Sequence, residues 1–160
     1  MPGRTVTDMS DEVVLRLGEN PNIAGLKDAT GDLARGISLL RAVPPDFAVY
    51  SGDDATAASL ILHGARGNIS VTANVVPAMM SLLCAAALCG DVATVRKHSY
   101  RMAPLNETMF VESNPIPVKF ALAHLGYIAE HYRLPLTPLG QSCRQGVIDT
   151  LQLAMEREDE

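Results

Sequence analysis

The sequence lacks the features that mark several large functional classes. It has no excess of positive charge: 13 Lys and Arg stand against 18 Asp and Glu, for a net charge of -5. That balance offers no basic surface to nucleic acid. Its three cysteines, Cys84, Cys89 and Cys143, form no CxxC and show no metal spacing with histidine. An odd, unpatterned set of this kind fits a reduced cytosolic protein. None of His63, His98, His124 and His131 stands three to five residues from another, so no metal site is expected. No Gly-x-Ser-x-Gly is present, which disfavours a serine hydrolase. Gly64 to Gly67 lacks the three-glycine spacing of a dinucleotide loop. Met1 runs into Pro2-Gly3-Arg4-Thr5 with no signal-peptide pattern. The longest strongly apolar run, Val75 to Leu88, is too short to span a bilayer.

What is present is a globular composition, 48% apolar and 19% charged over 160 residues. Up to Gly90 the chain alternates helix and strand. Ser10 is placed to cap a helix with Asp11 and Glu12 in its first turn, and Gly18 to stop it. Asn22 to Lys27 is a short apolar strand. Asp32 caps a second helix, with Leu33, Ile37, Leu40 and Val43 on one face, and Pro44-Pro45 ends it. Phe47 to Tyr50 is a second strand, and Ser51-Gly52-Asp53-Asp54 a turn and helix cap before the helix Ala55 to Leu62. Gly67 to Val71 reads as a third strand, followed by a helix from Pro77 to about Leu88. Such alternation with short connections predicts parallel strands with crossover helices. From Asp91 on there is no convincing strand. Helices are expected from Asp91 to about Phe110, Val118 to Leu125, and Ser142, as cap, to about Glu156. The expected division is therefore residues 1–90 as a part of a barrel or sheet and 91–160 as a helical region. Three parallel strands alone would leave two open edges and uncovered faces, so they read better as the last strands of a larger sheet or barrel.

Lys27 is the only cation in its apolar run. On a strand it shares a face with Ile23 and Gly25, which would leave space beside it. At the C-terminal end of a barrel strand a lysine is where active sites lie. Among apolar walls its amine would lose its proton more readily and become a nucleophile for carbonyls. On pattern alone, a lysine that snorkels out of the strand end is the commoner case. Gly52 would let a ligand approach the backbone at the matching end of the second strand, although Asp53 or Asp54 as a plain helix cap needs no ligand. Ile69 offers backbone groups or a wall, or is simply core. Arg4 suits a carboxylate clamp, or is an ordinary surface arginine.

The motifs together say more. Pro2-Gly3-Arg4-Thr5, Gly25-Leu26-Lys27-Asp28-Ala29-Thr30-Gly31-Asp32, Ser51-Gly52-Asp53-Asp54, Gly67-Asn68-Ile69-Ser70-Val71-Thr72-Ala73-Asn74 and Asn114-Pro115-Ile116-Pro117-Val118-Lys119 follow in this order, with Leu134-Pro135-Leu136-Thr137-Pro138-Leu139 after them. The set resembles the dihydrodipicolinate synthase (4-hydroxy-tetrahydrodipicolinate synthase) family over nearly the whole chain. The resemblance implies an α/β fold: the C-terminal part of a (β/α)8 TIM barrel, strands 6 to 8, followed by a helical region. It implies condensation of pyruvate with L-aspartate 4-semialdehyde in lysine biosynthesis, without a cofactor, in a cytoplasmic enzyme whose full-length members are expected to be tetramers. Lys27 would form the imine with pyruvate. Ile69 would contact pyruvate through its backbone, with Gly52 nearby, and Arg4 would hold the carboxylate of the semialdehyde.

The departures are also definite. The family's paired threonines, which bind the pyruvate carboxylate and relay protons, have no counterpart in this sequence. Neither do the tyrosine just ahead of Pro-Gly-Arg and the second tyrosine of the relay, and Tyr50, Tyr100, Tyr127 and Tyr132 lie outside the motifs. The first five strands, and with them the feedback-lysine site, are therefore expected to be missing and the chain alone to be weakly active. Two other readings stay open: another pyruvate-dependent lyase or aldolase of the superfamily, and a non-catalytic remnant that associates with full-length subunits.

Overall fold

A side-chain oxygen opens each of the first two helices. Ser10 Oγ accepts from the Val13 amide at 3.4 Å at the start of α1 (Asp11–Gly18), and Asp32 Oδ1 accepts from the Arg35 amide at 3.0 Å at the start of α2 (Leu33–Ala42). Both are the residue types that satisfy the free amides of a first turn. The computed structural model describes residues 5–156. The order continues with β1 (Gly25–Asp28) between those helices, then β2 (Ala48–Ser51), α3 (Ala57–Leu62), a 3-10 turn (Thr72–Asn74), α4 (Pro77–Cys89), α5 (Val92–Thr108), α6 (Ile116–His124) and α7 (Gln141–Met155). The chain divides into two compact units: residues up to Ser70 with Leu83–Val95, and Val71–Leu82 with the residues from Arg96 on.

In the first unit β1 and β2 pair in parallel, Leu26 against Val49, Lys27 against Tyr50 and Asp28 against Ser51. Because successive side chains alternate between faces, Leu26 and Val49 share one face and Lys27 and Tyr50 the other. The first face is covered: Val14, Leu39, Phe47 and Val49 form its core, with Ile23, Leu26, Leu40 and Val43 packed against it. Tyr50 and Lys27 on the second face are exposed. Arg35 of α2 ties the segment before α1, donating to Asp11 Oδ1 at 2.8 Å, Asp8 Oδ2 at 3.0 Å and the Met9 carbonyl at 2.6 Å.

Two expectations are corrected here. On α2 the buried side chain is Leu39, 1% exposed, whereas Ile37 is 37% exposed. Gly36, one turn before, lets the helix come close to Leu60 of α3, whose Cδ1 stands 2.6 Å from where a Cβ would be; that approach rotates the inward stripe onto Gly36 and Leu39. The third strand over Gly67–Val71 is not formed. Ser51 makes a single parallel bridge with Asn68. The Val49 carbonyl accepts from Arg66 at 2.8 Å, while Ser51 donates to Gly67 at 2.9 Å and accepts from Ile69 at 2.8 Å. Two steps along β2 thus face three along the other segment, which is a bulge, and it breaks the ladder. Val71 then adopts helical angles (φ -81°, ψ -47°) and leads into the 3-10 turn.

The second unit is helical among its described residues. Thr72 Oγ1 donates to Asn106 Oδ1 at 2.8 Å, both nearly inaccessible to solvent. Helices α6 and α7 pack together, burying Val118, Phe120 and Ala121 on one and Val147, Leu151 and Ala154 on the other. The last helix is capped at Gly140, not Ser142, and by no side-chain bond; the Gly140 amide itself donates to Glu112 Oε1 at 2.9 Å. Arg144 lies 4.9 Å from the Phe120 ring centroid and pairs with Glu130 at 2.7 Å. No helix among the described residues is long and apolar enough to cross a membrane.

The assignment of the α2 face is testable by urea unfolding. Leu39→Ala should cost about 2–5 kcal/mol by loss of burial and cavity formation, and Ile37→Ala less than half of that. Equal losses would mean that the helix is rotated from the orientation described.

Candidate active site

Lys27 stands next to last in β1, on the uncovered face of the sheet. Its stem does not extend straight outward; it leans over Gly52, the first residue after β2. A Cβ built on Gly52 would collide with Lys27 Cε and lie 2.7 Å from Ala29 Cβ. The glycine therefore makes room for the lysine. Gly25, expected to have that part, has another. A Cβ there would run into the Ala48 carbonyl, so Gly25 is needed for the two strands to approach at their N-terminal ends. Gly52 is fixed by its own amide, which donates to the Asp28 carbonyl at 2.7 Å. An open cleft of about 700 Å³ runs along this part of the first unit, and Leu26, Lys27, Ala29 and Thr30 line it with Met9 and Val13.

The turn after β2 uses its polar residues for separate tasks. Ser51 Oγ accepts from the Asp53 amide at 3.1 Å and donates to the Asp53 carbonyl at 2.9 Å. Asp53 Oδ2 caps the following turn, taking the Thr56 amide at 3.0 Å and the Thr56 hydroxyl at 2.7 Å. Asp54 is 5% exposed, and its Oδ1 accepts from Asn68 Nδ2 at 2.7 Å. Ile69 follows Asn68; its amide is bound to the Ser51 carbonyl and its side chain is 49% exposed. It is a surface residue held by its backbone at the end of β2, not core.

Of the four expected site residues, Lys27 and Gly52 are in contact distance through the lysine stem, and Ile69 joins the same strand end through Ser51. Arg4 lies outside the described residues. Sequence reasoning passed over Tyr50. It pairs with Lys27 in register and shares its face, and its ring packs 3.5 Å from the position of a Gly67 Cβ. The alternation of side chains along Phe47 to Ser51 could have shown this, since Tyr50 and Lys27 are each the inward neighbour of a strand end. Sequence reasoning also missed that Asp54 grips Asn68. Among the described residues no group of three His, Cys, Asp or Glu side chains stands close enough to hold a metal ion, and Cys84, Cys89 and Cys143 are free thiols.

The sequence model of the dihydrodipicolinate synthetase family matches residues 1–154. Among curated proteins, 4-hydroxy-tetrahydrodipicolinate synthases of Nitrosospira multiformis and Pseudomonas aeruginosa are similar, at 52% identity over 97% of this chain and 56% over 91% of it. The chain spans about half the length of these relatives, 50% in both cases. Among solved structures, the chloride-inhibited dihydrodipicolinate synthase of Acinetobacter baumannii complexed with pyruvate superposes with a TM-score of 0.94 at 49% identity, covering 96% of this chain and 53% of that one. The fold is thus an α/β arrangement of the kind found in those barrels, present here in part.

The seating of Lys27 over Gly52 makes the two positions energetically coupled. Gly52→Ala should destabilise the chain by about 1–3 kcal/mol through overpacking. In a Lys27→Ala background the same substitution should cost at least about 0.5 kcal/mol less, the residual reflecting Ala29. Strict additivity in urea melts would show that the lysine stem does not rest on that glycine.

Proposed function

The chain belongs to the dihydrodipicolinate synthetase family, and from that premise we propose that it carries the imine-forming part of an enzyme that condenses pyruvate with L-aspartate 4-semialdehyde. In this reading β1, β2 and the bulged segment 67–71 are strands 6, 7 and 8 of a (β/α)8 barrel, residues 1–90 belong to the barrel, and 91–160 form its helical appendage. The observation that carries the reading is a lysine at the C-terminal end of a parallel strand, its stem lodged over the glycine that follows the next strand. This is the face on which barrels of this class build their sites.

The chemistry follows from that amine. Lys27 Nζ adds to the ketone carbon of pyruvate, and loss of water leaves an imine. Once protonated, the imine draws electrons from the adjacent methyl group, which gives up a proton and becomes an enamine. The enamine carbon then attacks the aldehyde carbon of the semialdehyde. Gly52 keeps the stem in place, the Ile69 backbone faces the pyruvate, and Arg4 pairs with the carboxylate of the second substrate as a fork that matches its two oxygens. The paired threonines and the tyrosine acid of the family have no counterpart in this sequence. Completing the barrel would also cover the face on which Lys27 is exposed. The completed enzyme is cytoplasmic in this reading, in keeping with its free thiols, and assembles as a homotetramer.

Two outcomes test the proposal. In a completed barrel, made by replacing the matched half of the Pseudomonas aeruginosa relative with this chain, borohydride and pyruvate should add one reduced pyruvate to Lys27, read by peptide mass. Lys27→Arg should abolish both the adduct and turnover, and an adduct on another lysine would refute the assignment. The 160-residue chain by itself should turn over the two substrates at less than about a hundredth of the completed rate, because the acid is absent. Comparable rates would sink that expectation.

A further inference from the structure

Ile69 lies on a segment that no regular sheet holds. The bulge at Arg66–Gly67 leaves the segment one bridge to β2 and three backbone hydrogen bonds, from Arg66 to Val49, from Ser51 to Gly67 and from Ile69 to Ser51. Side chains add to that backbone hold. One is conspicuous. Asp54 is a carboxylate at 5% exposure, and a buried carboxylate is tolerated only when hydrogen bonds replace the water it has lost. Its short bond from Asn68 Nδ2, 2.7 Å, is a charge-assisted contact between the turn after β2 and the residue preceding Ile69. The Asn68 backbone also lies near the half-buried thiol of Cys84 on α4. Burial first, and Asp54 in addition, raise the pKa of that thiol, while the Asn68 backbone acts in the opposite direction. The Ser-Gly-Asp-Asp turn therefore divides its two carboxylates. Asp53 serves the local helix turn, and Asp54 reaches across 14 residues.

We propose that Asp54 is a positioning residue: through Asn68 it sets where the Ile69 backbone stands relative to Gly52 and Lys27, and so how tightly the site holds its small 2-keto acid. The inference rests on the imine-forming reading above. Asp54 acts here through its bond from Asn68. Its loss therefore weakens binding of the keto acid while the imine, once formed, reacts as before.

The experiment uses the completed barrel described above and measures half-saturation of Lys27 trapping by pyruvate, together with steady-state kinetics for both substrates. Asp54→Ala and Asn68→Ala should each raise the pyruvate requirement at least about tenfold, as expected when one partner of a buried charged hydrogen bond is removed. The double variant should be no worse than either single one, because both break the same link. kcat and the KM for the semialdehyde should stay within about twofold. Asp54→Asn keeps an acceptor oxygen for Asn68 and should stay within about threefold of the parent; it also serves where the alanine variant fails to fold. A merely structural role would lower the melting temperature or kcat without moving the pyruvate requirement, and that result overturns the proposal, as do additive single variants. If the parent barrel itself traps no pyruvate at Lys27, the functional reading fails and this inference falls with it.

Discussion

Side-chain alternation along two short parallel strands is the constraint from which the rest of the site follows. β1 and β2 are four residues each, and their register sets Leu26 beside Val49 and Lys27 beside Tyr50. A shift of one residue in either strand would carry its apolar side chain to the open face and its polar one into the core. Val49 is fully enclosed with Val14, Leu39 and Phe47, and about 2 kcal/mol of transfer free energy rides on burying a side chain of this size. Gly25 adds a steric lock, since any side chain there would strike the Ala48 carbonyl. The position of Lys27 is thus a by-product of packing on the other side of the sheet.

The lysine is positioned by space as well as by register. Its long stem has several rotatable bonds, and a flexible amine at a strand end would sample many positions. The missing side chain at Gly52 gives the stem a place to lie, and the bond from the Gly52 amide to the Asp28 carbonyl fixes that place relative to β1. Lys27 is on β1 and Gly52 follows the end of β2, and each depends on the other. For that reason the pair cannot be seen by looking along either strand alone.

This separates what the sequence makes legible from what it does not. Ser10, Asp32 and Asp91 were readable as caps because a cap bonds within three residues of itself, as the Thr94 amide does to Asp91 at 3.1 Å. The strand–helix alternation and the strand-end lysine were readable for the same reason, since both depend on local periodicity. The failures are all contacts between distant residues. Gly140 stands at the cap in place of Ser142, and its amide is bound by the distant Glu112. Leu39 rather than Ile37 turns inward because Gly36 admits Leu60. Gly25 and Gly52 have parts other than those expected because each is defined by what lies opposite it, the Ala48 carbonyl for one and the Lys27 stem for the other. The third strand was expected from its composition, but one extra residue between Ala65 and Asn68 puts its ladder out of step with β2.

That bulge bears on how such a site is built. A regular third strand would hold Ile69 rigidly, but it would point the backbone groups of residues 67–70 along the sheet, into neighbouring strands. Here the bulge at Arg66–Gly67 limits the pairing to one bridge, with the Gly67 carbonyl and the Ile69 amide bound to Ser51. The cost is lost backbone hydrogen bonds, each worth about 0.5–1.5 kcal/mol net. A buried carboxylate with one short charged contact is of the right size to offset it, since a hydrogen bond to a charged group contributes about 1.5–3 kcal/mol. Asp54 supplies that contact at 2.7 Å. Its neighbour Asp53, equally acidic and one residue earlier, spends both of its hydrogen bonds on Thr56. Two adjacent carboxylates are therefore not redundant: one closes a helix turn, and the other replaces the sheet where the sheet has been opened.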